Sequence, residues 1–262
     1  MRFTKMEGLG NDYIYLNCMG WEPPDLPELA VRLSDRHFGV GSDGLICIKP
    51  GRNGDFTMEM YNADGSRGAM CGNGIRCLGK YVYDHGLTRK TCLTIDTDAG
   101  PRGLELQVAG GKVERVTVDM GEPALFPGVT LEAEGERFDA VQVSMGNPHA
   151  VIFCRDPEQV ELERLGPVLE RHPGLRERSN VEFAALTGPD SLTVRVWERG
   201  SGITLACGTG ACAVFAAARK LGLCGTSANV RLPGGTLGLE ERDGRIFMTG
   251  PARTVFEGET EN

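Results

Sequence analysis

A displacement of 136 residues lays the second half of this 262-residue chain over the first. Gly10-Asn11 falls on Gly146-Asn147, and Tyr61-Asn62 falls on Trp197-Glu198. Cys71-Gly72-Asn73-Gly74 falls on Cys207-Gly208-Thr209-Gly210, and Gly86-Leu87 falls on Gly222-Leu223. One CGxG match would carry little weight. Four matches in one order, at one offset and without a gap, point to a duplicated domain. The first copy is expected over residues 1–115 and the second over 116–250, although no Pro- or Ser-rich linker marks the join.

Local patterns agree between the copies. Phe56, Met58 and Met60 alternate with Thr57, Glu59 and Tyr61, and Leu192, Val194 and Val196 do the same before Trp197. Period-two runs of this kind read as strands. Leu104, Leu106 and Val108 run into Gly110-Gly111 and resume as Val116, Val118 and Met120, which predicts a hairpin on a Gly-Gly turn. Asp243-Gly244 predicts another. Helical spacing marks residues 27–38 through Leu29, Ala30 and Leu33, and residues 160–169 through Val160, Leu165 and Leu169. Two further helices are expected at 72–85 before Gly86 and at 208–221 before Gly222. Gly just past the last turn is a common helix stop. The balance predicts an α+β fold of mostly antiparallel strands.

Composition excludes several classes. The formal charge is −8, from 28 basic and 36 acidic side chains, and no Lys/Arg cluster supplies a nucleic-acid footprint. No apolar run approaches the roughly 18 residues of a membrane span. MRFTKMEGLGND has no apolar stretch of signal-peptide length, so the expected compartment is the cytoplasm. Nine Cys in such a compartment are expected as thiols rather than bridges.

In each copy a Cys stands at a CGxG turn opening an apolar helix. The first amides of a helix lack intrahelical partners and, with the helix dipole, favour negative charge. A thiol there is expected to ionise below its usual value of about 8.5. The same amides can hold a carboxylate, and glycines let the backbone approach it. Duplicated domains facing one another would put Cys71 and Cys207 on opposite sides of one cleft. That suits a racemase or epimerase, in which one thiolate removes a proton and one thiol returns it to the other face. No cofactor is then needed. The plain alternative for a free Cys is a small buried hydrophobe. That reading is preferred for Cys18, Cys47, Cys92, Cys154 and Cys224, and for Cys77 and Cys212 inside the helices. A zinc site built on Cys71/Cys77 and Cys207/Cys212 is disfavoured, since no His follows at ligand spacing.

The neighbouring repeat positions are polar. Asn11 and Asn147 each follow a Gly, where turn formation is the ordinary explanation. Asn62 and Asn180 border strands, which Asn disfavours, so a binding role gains weight. Arg199 beside Glu198 is either an exposed ion pair or a carboxylate clamp. Tyr13 in the first copy matches His149 in the second, and Asn62 matches Glu198. His149 and Glu198 are candidates to tune the thiols or accept an ammonium group. His149 as a hydrogen-bonded structural residue remains equally open.

The segments KMEGLGNDY, HFGVGSDGL, MYNADGSRGAMCGNGIRC, MGNPHAVIF, SNVEF and WERGSGITLACGTGACA resemble those of the diaminopimelate epimerases, over nearly the whole chain. The resemblance implies two pseudo-symmetric domains, each a curved, mostly antiparallel sheet around a central helix, with the tail from about 251 to 262 returning to the first. It implies a pyridoxal-independent isomerase of lysine and peptidoglycan precursor synthesis, acting on LL- and meso-2,6-diaminopimelate, with a homodimer as its expected assembly. Carried onto matching positions, Cys71 and Cys207 are the acid–base pair. Gly72, Asn73, Gly208 and Thr209 hold the reacting carboxylate. Asn11, Asn62, Asn147, Asn180, Glu198 and Arg199 contact substrate, and His149 with Glu198 modulates the thiols. One position departs from the pattern: some members carry Gln where this chain has Gly44. Competing readings are a proline or hydroxyproline racemase-like two-cysteine isomerase, a non-catalytic protein of the same fold, and a zinc-binding module.

Overall fold

The computed structural model describes residues 1–260 of the chain, so the last two residues of the expected tail lie outside the described residues. It divides into two compact units, Met1–Asp119 with Thr249 onward, and Met120–Met248. The first contains β1 (Arg2–Gly8), β2 (Asn11–Asn17), α1 (Leu26–Ser34), β3 (Gly44–Pro50), β4 (Phe56–Asn62), β5 (Arg67–Gly68), α2 (Gly72–Asp84), β6 (Cys92–Asp96), β7 (Arg102–Ala109) and β8 (Lys112–Gly121). The second contains β9 (Ala124–Leu125), β10 (Val129–Ala133), β11 (Glu136–Ser144), β12 (Pro148–Phe153), α3 (Leu162–Glu170), β13 (Asn180–Gly188), β14 (Ser191–Glu198), β15 (Gly202–Ile203), α4 (Gly208–Lys220), β16 (Ser227–Leu232), β17 (Gly235–Arg242) and the start of β18 (Arg245–Pro251); the last residues of β8 belong to it and those of β18 to the first unit. The last strand, β19 (Arg253–Glu259), pairs antiparallel with β1 and belongs to the first unit.

Each unit is a sheet with two helical crossovers. In the first, β2 runs parallel to β3 and β4 runs parallel to β6, while the other neighbours are antiparallel. Parallel neighbours need a long connection. The connections here carry α1 and α2. In the second unit β12 runs parallel to β13 and β14 parallel to β16, with α3 and α4 in the connections. Register repeats as well: Ile14 faces Leu45 and Leu45 faces Tyr61, as Ala150 faces Val181 and Val181 faces Trp197. The fold is therefore a sheet-dominated α+β duplication. α1 and α3 fall on one another at the same displacement, a correspondence their dissimilar sequences hide.

The helices differ in how they are covered. Ten of the 13 residues of α2 and ten of the 13 of α4 are buried, as expected of central helices. α1 lays Leu26, Leu29, Ala30 and Leu33 against Leu45, Cys47 and Tyr61. This cover reaches β4 as well. Thr57, Glu59 and Tyr61 are buried under α1's side of the sheet. Glu59 is satisfied there by the Tyr61 hydroxyl at 2.8 Å and by Lys49 at 3.2 Å.

Termini follow local chemistry. α1 stops at Ser34, four residues short of expectation. The Asp35 carboxylate accepts the amides of His37 and Phe38, each at 2.7 Å, and turns the chain out of the helix. α2 and α4 end where the glycines predict: Gly86 and Gly222 take positive φ, and Leu87 and Leu223 return amide bonds to Val82 and Ala218 at 2.9 Å. Gly110-Gly111 and Asp243-Gly244 have positive φ at both positions, as primed hairpin turns require. Leu9-Gly10 and Glu134-Gly135 do the same. Asn11 is therefore a strand residue and not part of the turn. Cys92 is exposed on the outer face of β6, against the expectation that it is buried.

One buried ion is structural. Arg76, in α2, is fully buried. Its Nη1 donates to the Gly72 carbonyl and its Nε to the Pro251 carbonyl, both at 3.1 Å. These bonds fasten the segment leading into β19 to the helix that begins at Gly72. Among the described residues no helix is long and apolar enough to cross a membrane.

Packing of α3 depends on a glycine. A Cβ on Gly166 would lie 2.4 Å from the Trp197 ring, and the indole is held in place by its Nε1 bond to Glu170 at 2.8 Å. Gly166→Ala is expected to cost about 1–3 kcal/mol through overpacking. Denaturant melts followed by tryptophan fluorescence would check this; an unchanged midpoint would show that α3 shifts freely.

Candidate active site

Both CGxG turns build the same cap. Cys71 has extended angles, φ −126° and ψ 120°, and its sulfur accepts the Gly74 amide at 3.4 Å. Cys207 has φ −111° and ψ 109° and accepts the Gly210 amide at 3.3 Å. Sulfur thus takes the N-cap place usually held by a Ser, Thr or Asp oxygen. The glycines four positions into the motif serve packing. A Cβ on Gly74 would lie 2.6 Å from Ile46 Cδ1, and one on Gly210 would lie 2.8 Å from Glu182 Oε1. They let each helix start press against its sheet, a role the sequence reading gave to ligand approach.

In the first unit the Cys71 thiol donates to Asn11 Oδ1 at 3.3 Å, and Asn11 Nδ2 donates to Asp43 at 2.7 Å. Tyr13 lies beside them. Burial, and then the adjacent Cys71, push its phenol well above the usual range. Gly72 and Asn73 open α2 and are buried. Asn62 closes β4 and donates to Ser66 Oγ at 2.9 Å, outside this cluster. Gly44 has no room for a side chain: a Cβ would lie 2.1 Å from the Tyr61 carbonyl oxygen and 2.9 Å from the Tyr13 ring. Residue 44 is a packing position here.

The second unit joins more of the expected residues. His149, on β12, has Nδ1 2.6 Å from Glu182 Oε1 and Nε2 3.1 Å from Asn147 Oδ1. Asn147 Nδ2 donates to Thr209 Oγ1 at 3.2 Å, and Thr209 Oγ1 lies 3.5 Å from Cys207 Sγ. Gly208 and Thr209 open α4. Glu198 ends β14, half-buried, and accepts the Thr204 hydroxyl. It is not paired with Arg199. Asn180 opens β13 and donates to the Pro148 carbonyl at 3.3 Å while accepting the Arg199 amide at 2.8 Å. The Arg199 guanidinium donates to the Arg178 carbonyl at 3.0 Å and lies 3.8 Å from Glu177.

Glu182 escaped the sequence reading. Its one signal is a carboxylate in the otherwise apolar run VEFAA. Both it and His149 have wholly buried side chains.

Electrostatics overturns one expectation. Burial first, and then the carboxylates of Glu198 and Glu182, push the Cys207 thiol well above its ordinary value. The Thr209 hydroxyl and the Gly210 amide pull the other way and are outweighed. A helix start alone does not make this thiol acidic. Burial likewise raises the Glu198 carboxyl, against hydrogen bonds from Thr204 and Cys207. Among the described residues no three His, Cys, Asp or Glu gather as a metal-binding group.

Comparison with known proteins places this arrangement. The family model described as diaminopimelate epimerase matches residues 3–126 and 141–255. The diaminopimelate epimerase of Acetivibrio thermocellus is 49% identical over 276 residues, covering 100% of this chain and 99% of that protein. That of Leptospira biflexa is 48% identical over 277 residues, with coverage of 100% and 99%. Among solved structures, a probable proline racemase from Agrobacterium radiobacter superposes with TM-score 0.77 at 15% identity, covering 99% of this chain and 92% of that one. A phenazine biosynthesis protein of the PhzF family from Bacillus anthracis does so with TM-score 0.75 at 15% identity, covering 100% and 99%. These two likenesses establish the shared fold.

Glu198 offers a test by pH. Its folded carboxyl holds a proton to higher pH than the unfolded one, which ionises near 4.3. Between those two values the folded state binds more protons, so stability falls as pH rises. Glu198→Gln removes this loss and can still accept from Thr204. The melting temperature of the variant should exceed that of the wild type by a margin that widens from about pH 4.5 upward and then levels. A margin independent of pH would show that Glu198 ionises as freely folded as unfolded.

Proposed function

The chain belongs to the diaminopimelate epimerase family and is an isomerase, and from that premise we propose that it interconverts LL- and meso-2,6-diaminopimelate by proton transfer between two cysteines and one α-carbon. The observation that carries this reading is the repeated cap, a cysteine sulfur at the start of each central helix. One thiolate removes the α-proton. The electron pair of the broken C–H bond spreads into the adjacent carboxylate, and the other thiol supplies a proton to the opposite face. Atoms and charge balance without a cofactor: one cysteine gains the proton the other loses, and the reverse reaction exchanges their roles.

The remaining residues divide the work. The first-turn amides of Gly72-Asn73 and Gly208-Thr209 hold the reacting carboxylate, where negative charge grows in the transition state. Asn11, Asn147 and Glu198 lie in the two cysteine clusters and position the reacting end. Asn62, Asn180 and Arg199 read the distal amino-acid end. An analogue lacking that end would forgo these polar contacts and be bound less well. Burial and two carboxylates favour the protonated form of Cys207, and the two cysteines exchange the roles of acid and base between the two directions of the reaction. The shared fold supplies the second reading, a racemase of proline or hydroxyproline.

Incubation with LL-diaminopimelate in deuterated water should place deuterium at one α-carbon as the meso form accumulates. Proline should be inert. Inversion of proline with none of diaminopimelate would move the chain to the second reading. Cys71→Ala and Cys207→Ala should each lower kcat by at least about 10³-fold with the fold intact. Substantial turnover by either variant would remove that cysteine from the mechanism.

A further inference from the structure

Asp43 stands just before β3, half-buried, and takes no part in the proton transfer proposed above. Its carboxylate gathers three donors. Oδ2 accepts the Asp12 amide at 3.1 Å and Asn11 Nδ2 at 2.7 Å, while Oδ1 accepts Arg36 Nη2 at 2.9 Å. The main chain here is fastened separately. The Asp43 amide donates to the Asp12 carbonyl at 2.7 Å, and the Asp43 carbonyl accepts the Ala63 amide at 3.1 Å. Arg36 has Asp12 as a second partner, with Nη2 at 2.9 Å from Oδ1. The turn therefore keeps its shape without the Asp43 side chain.

An amide side chain such as that of Asn11 has two ends, one that donates and one that accepts. Here the choice between them is fixed. A backbone N–H only donates, and Asp43 Oδ2 already accepts the one from Asp12. The end of Asn11 that meets the same oxygen is the nitrogen. The amide oxygen is thereby turned the other way, where it accepts the Cys71 thiol at 3.3 Å. That orientation matters to a sulfur that passes between thiol and thiolate. An oxygen acceptor favours the form that carries the proton, whereas an N–H donor favours the form that has lost it. The second copy lacks the device. Ser179 stands at the place matching Asp43, and its hydroxyl donates to the Glu177 carbonyl at 2.9 Å.

We propose that Asp43 is a positioning residue for the Cys71 half of the reaction: by taking the amide nitrogen of Asn11 it keeps the amide oxygen on the Cys71 sulfur, so that the thiol and its hydrogen hold one direction. This rests on the cysteine-pair reading above. Without the carboxylate Asn11 is free to turn, and its nitrogen then donates to the sulfur. Cys71 becomes easier to ionise and less well aimed. The other groups on this sulfur, Tyr13 of β2 and the Gly74 amide of α2, are untouched by that loss.

Two variants test this. Asp43→Ala removes both acceptor oxygens. Asp43→Asn removes the charge and keeps one oxygen, which must face the N–H groups of Asp12 and Asn11, so the orientation of Asn11 is preserved. The main-chain bonds and the Arg36–Asp12 pair remain in both, so both should fold, and melts followed by circular dichroism check that they do. In Asp43→Ala, peptide-resolved alkylation by iodoacetamide at pH 8 should quicken about threefold to tenfold at Cys71 and stay unchanged at Cys207. In the same variant kcat for LL-diaminopimelate should fall about tenfold with KM within about twofold, because aim is lost rather than binding. A thiol that alkylates faster while turnover slows is a pattern that a merely structural role does not produce. In Asp43→Asn both quantities should stay within about twofold of wild type. A larger change in Asp43→Asn, or equal quickening in the two variants, would assign the effect to charge alone and overturn the proposal. Wild-type Cys71 alkylation in Asp43→Ala would overturn it as well, whatever the melting temperature. If the wild type fails to turn over diaminopimelate, the reading of function fails, and Cys71 alkylation still decides the role of Asp43.

Discussion

A sulfur atom capping a buried helix is the constraint on which this structure hangs. α2 and α4 are largely buried, so neither can slide or turn without disturbing a whole sheet. Each helix start is pressed against a strand through a glycine, on Ile46 in one copy and Glu182 in the other. The amide three residues on then points at the sulfur and fixes it. A side chain mounted this way keeps its direction without help from a loop, which is what the proposed proton transfer at a single carbon would demand. The cost falls on ionisation, since the burial that fixes Cys207 also opposes its negative charge.

Duplication and divergence have left different marks. Crossovers, register, helix ends and caps are common to both copies and serve the frame. The differences collect around the sulfurs. Cys71 has Asn11 and Tyr13 for company, whereas Cys207 has His149, Glu182 and Glu198. A perfectly repeated site would present the same thiol twice. The divergence makes the surroundings of the second thiol distinct from those of the first, and the proposed reaction, with an acid and a base acting in the same moment, would need such a difference.

Much of this was legible in the chain because it rests on backbone chemistry. Gly110-Gly111 and Asp243-Gly244 specify hairpins, Gly86 and Gly222 specify helix ends, and CGxG specifies a helix start, all through neighbours in sequence. What escaped depends on contacts distant in sequence. That Thr57, Glu59 and Tyr61 of β4 are buried along with their apolar neighbours depends on α1, which covers that face of the sheet. The end of α1 lay with Asp35 rather than with any glycine. Glu182 looked like one acid among 36, since nothing local reveals that a strand residue ends beneath a helix start. The direction of the Cys207 thiol was misjudged for the same reason. The helix start is visible in sequence, and the two carboxylates opposing it are not.

The bonds from Arg76 into the segment before β19 bear on how the chain is made. β1 leaves the ribosome first and finds β2 within a few residues, but its other edge waits for β19, at the far end. Until then that edge is open to pairing with other chains. The Arg76 guanidinium, in the same helix that Cys71 caps, lacks its Pro251 acceptor over the same interval. The unit whose residues are translated first is thus completed last, after the entire second unit has emerged, contrary to the usual order in which N-terminal domains finish ahead of those that follow.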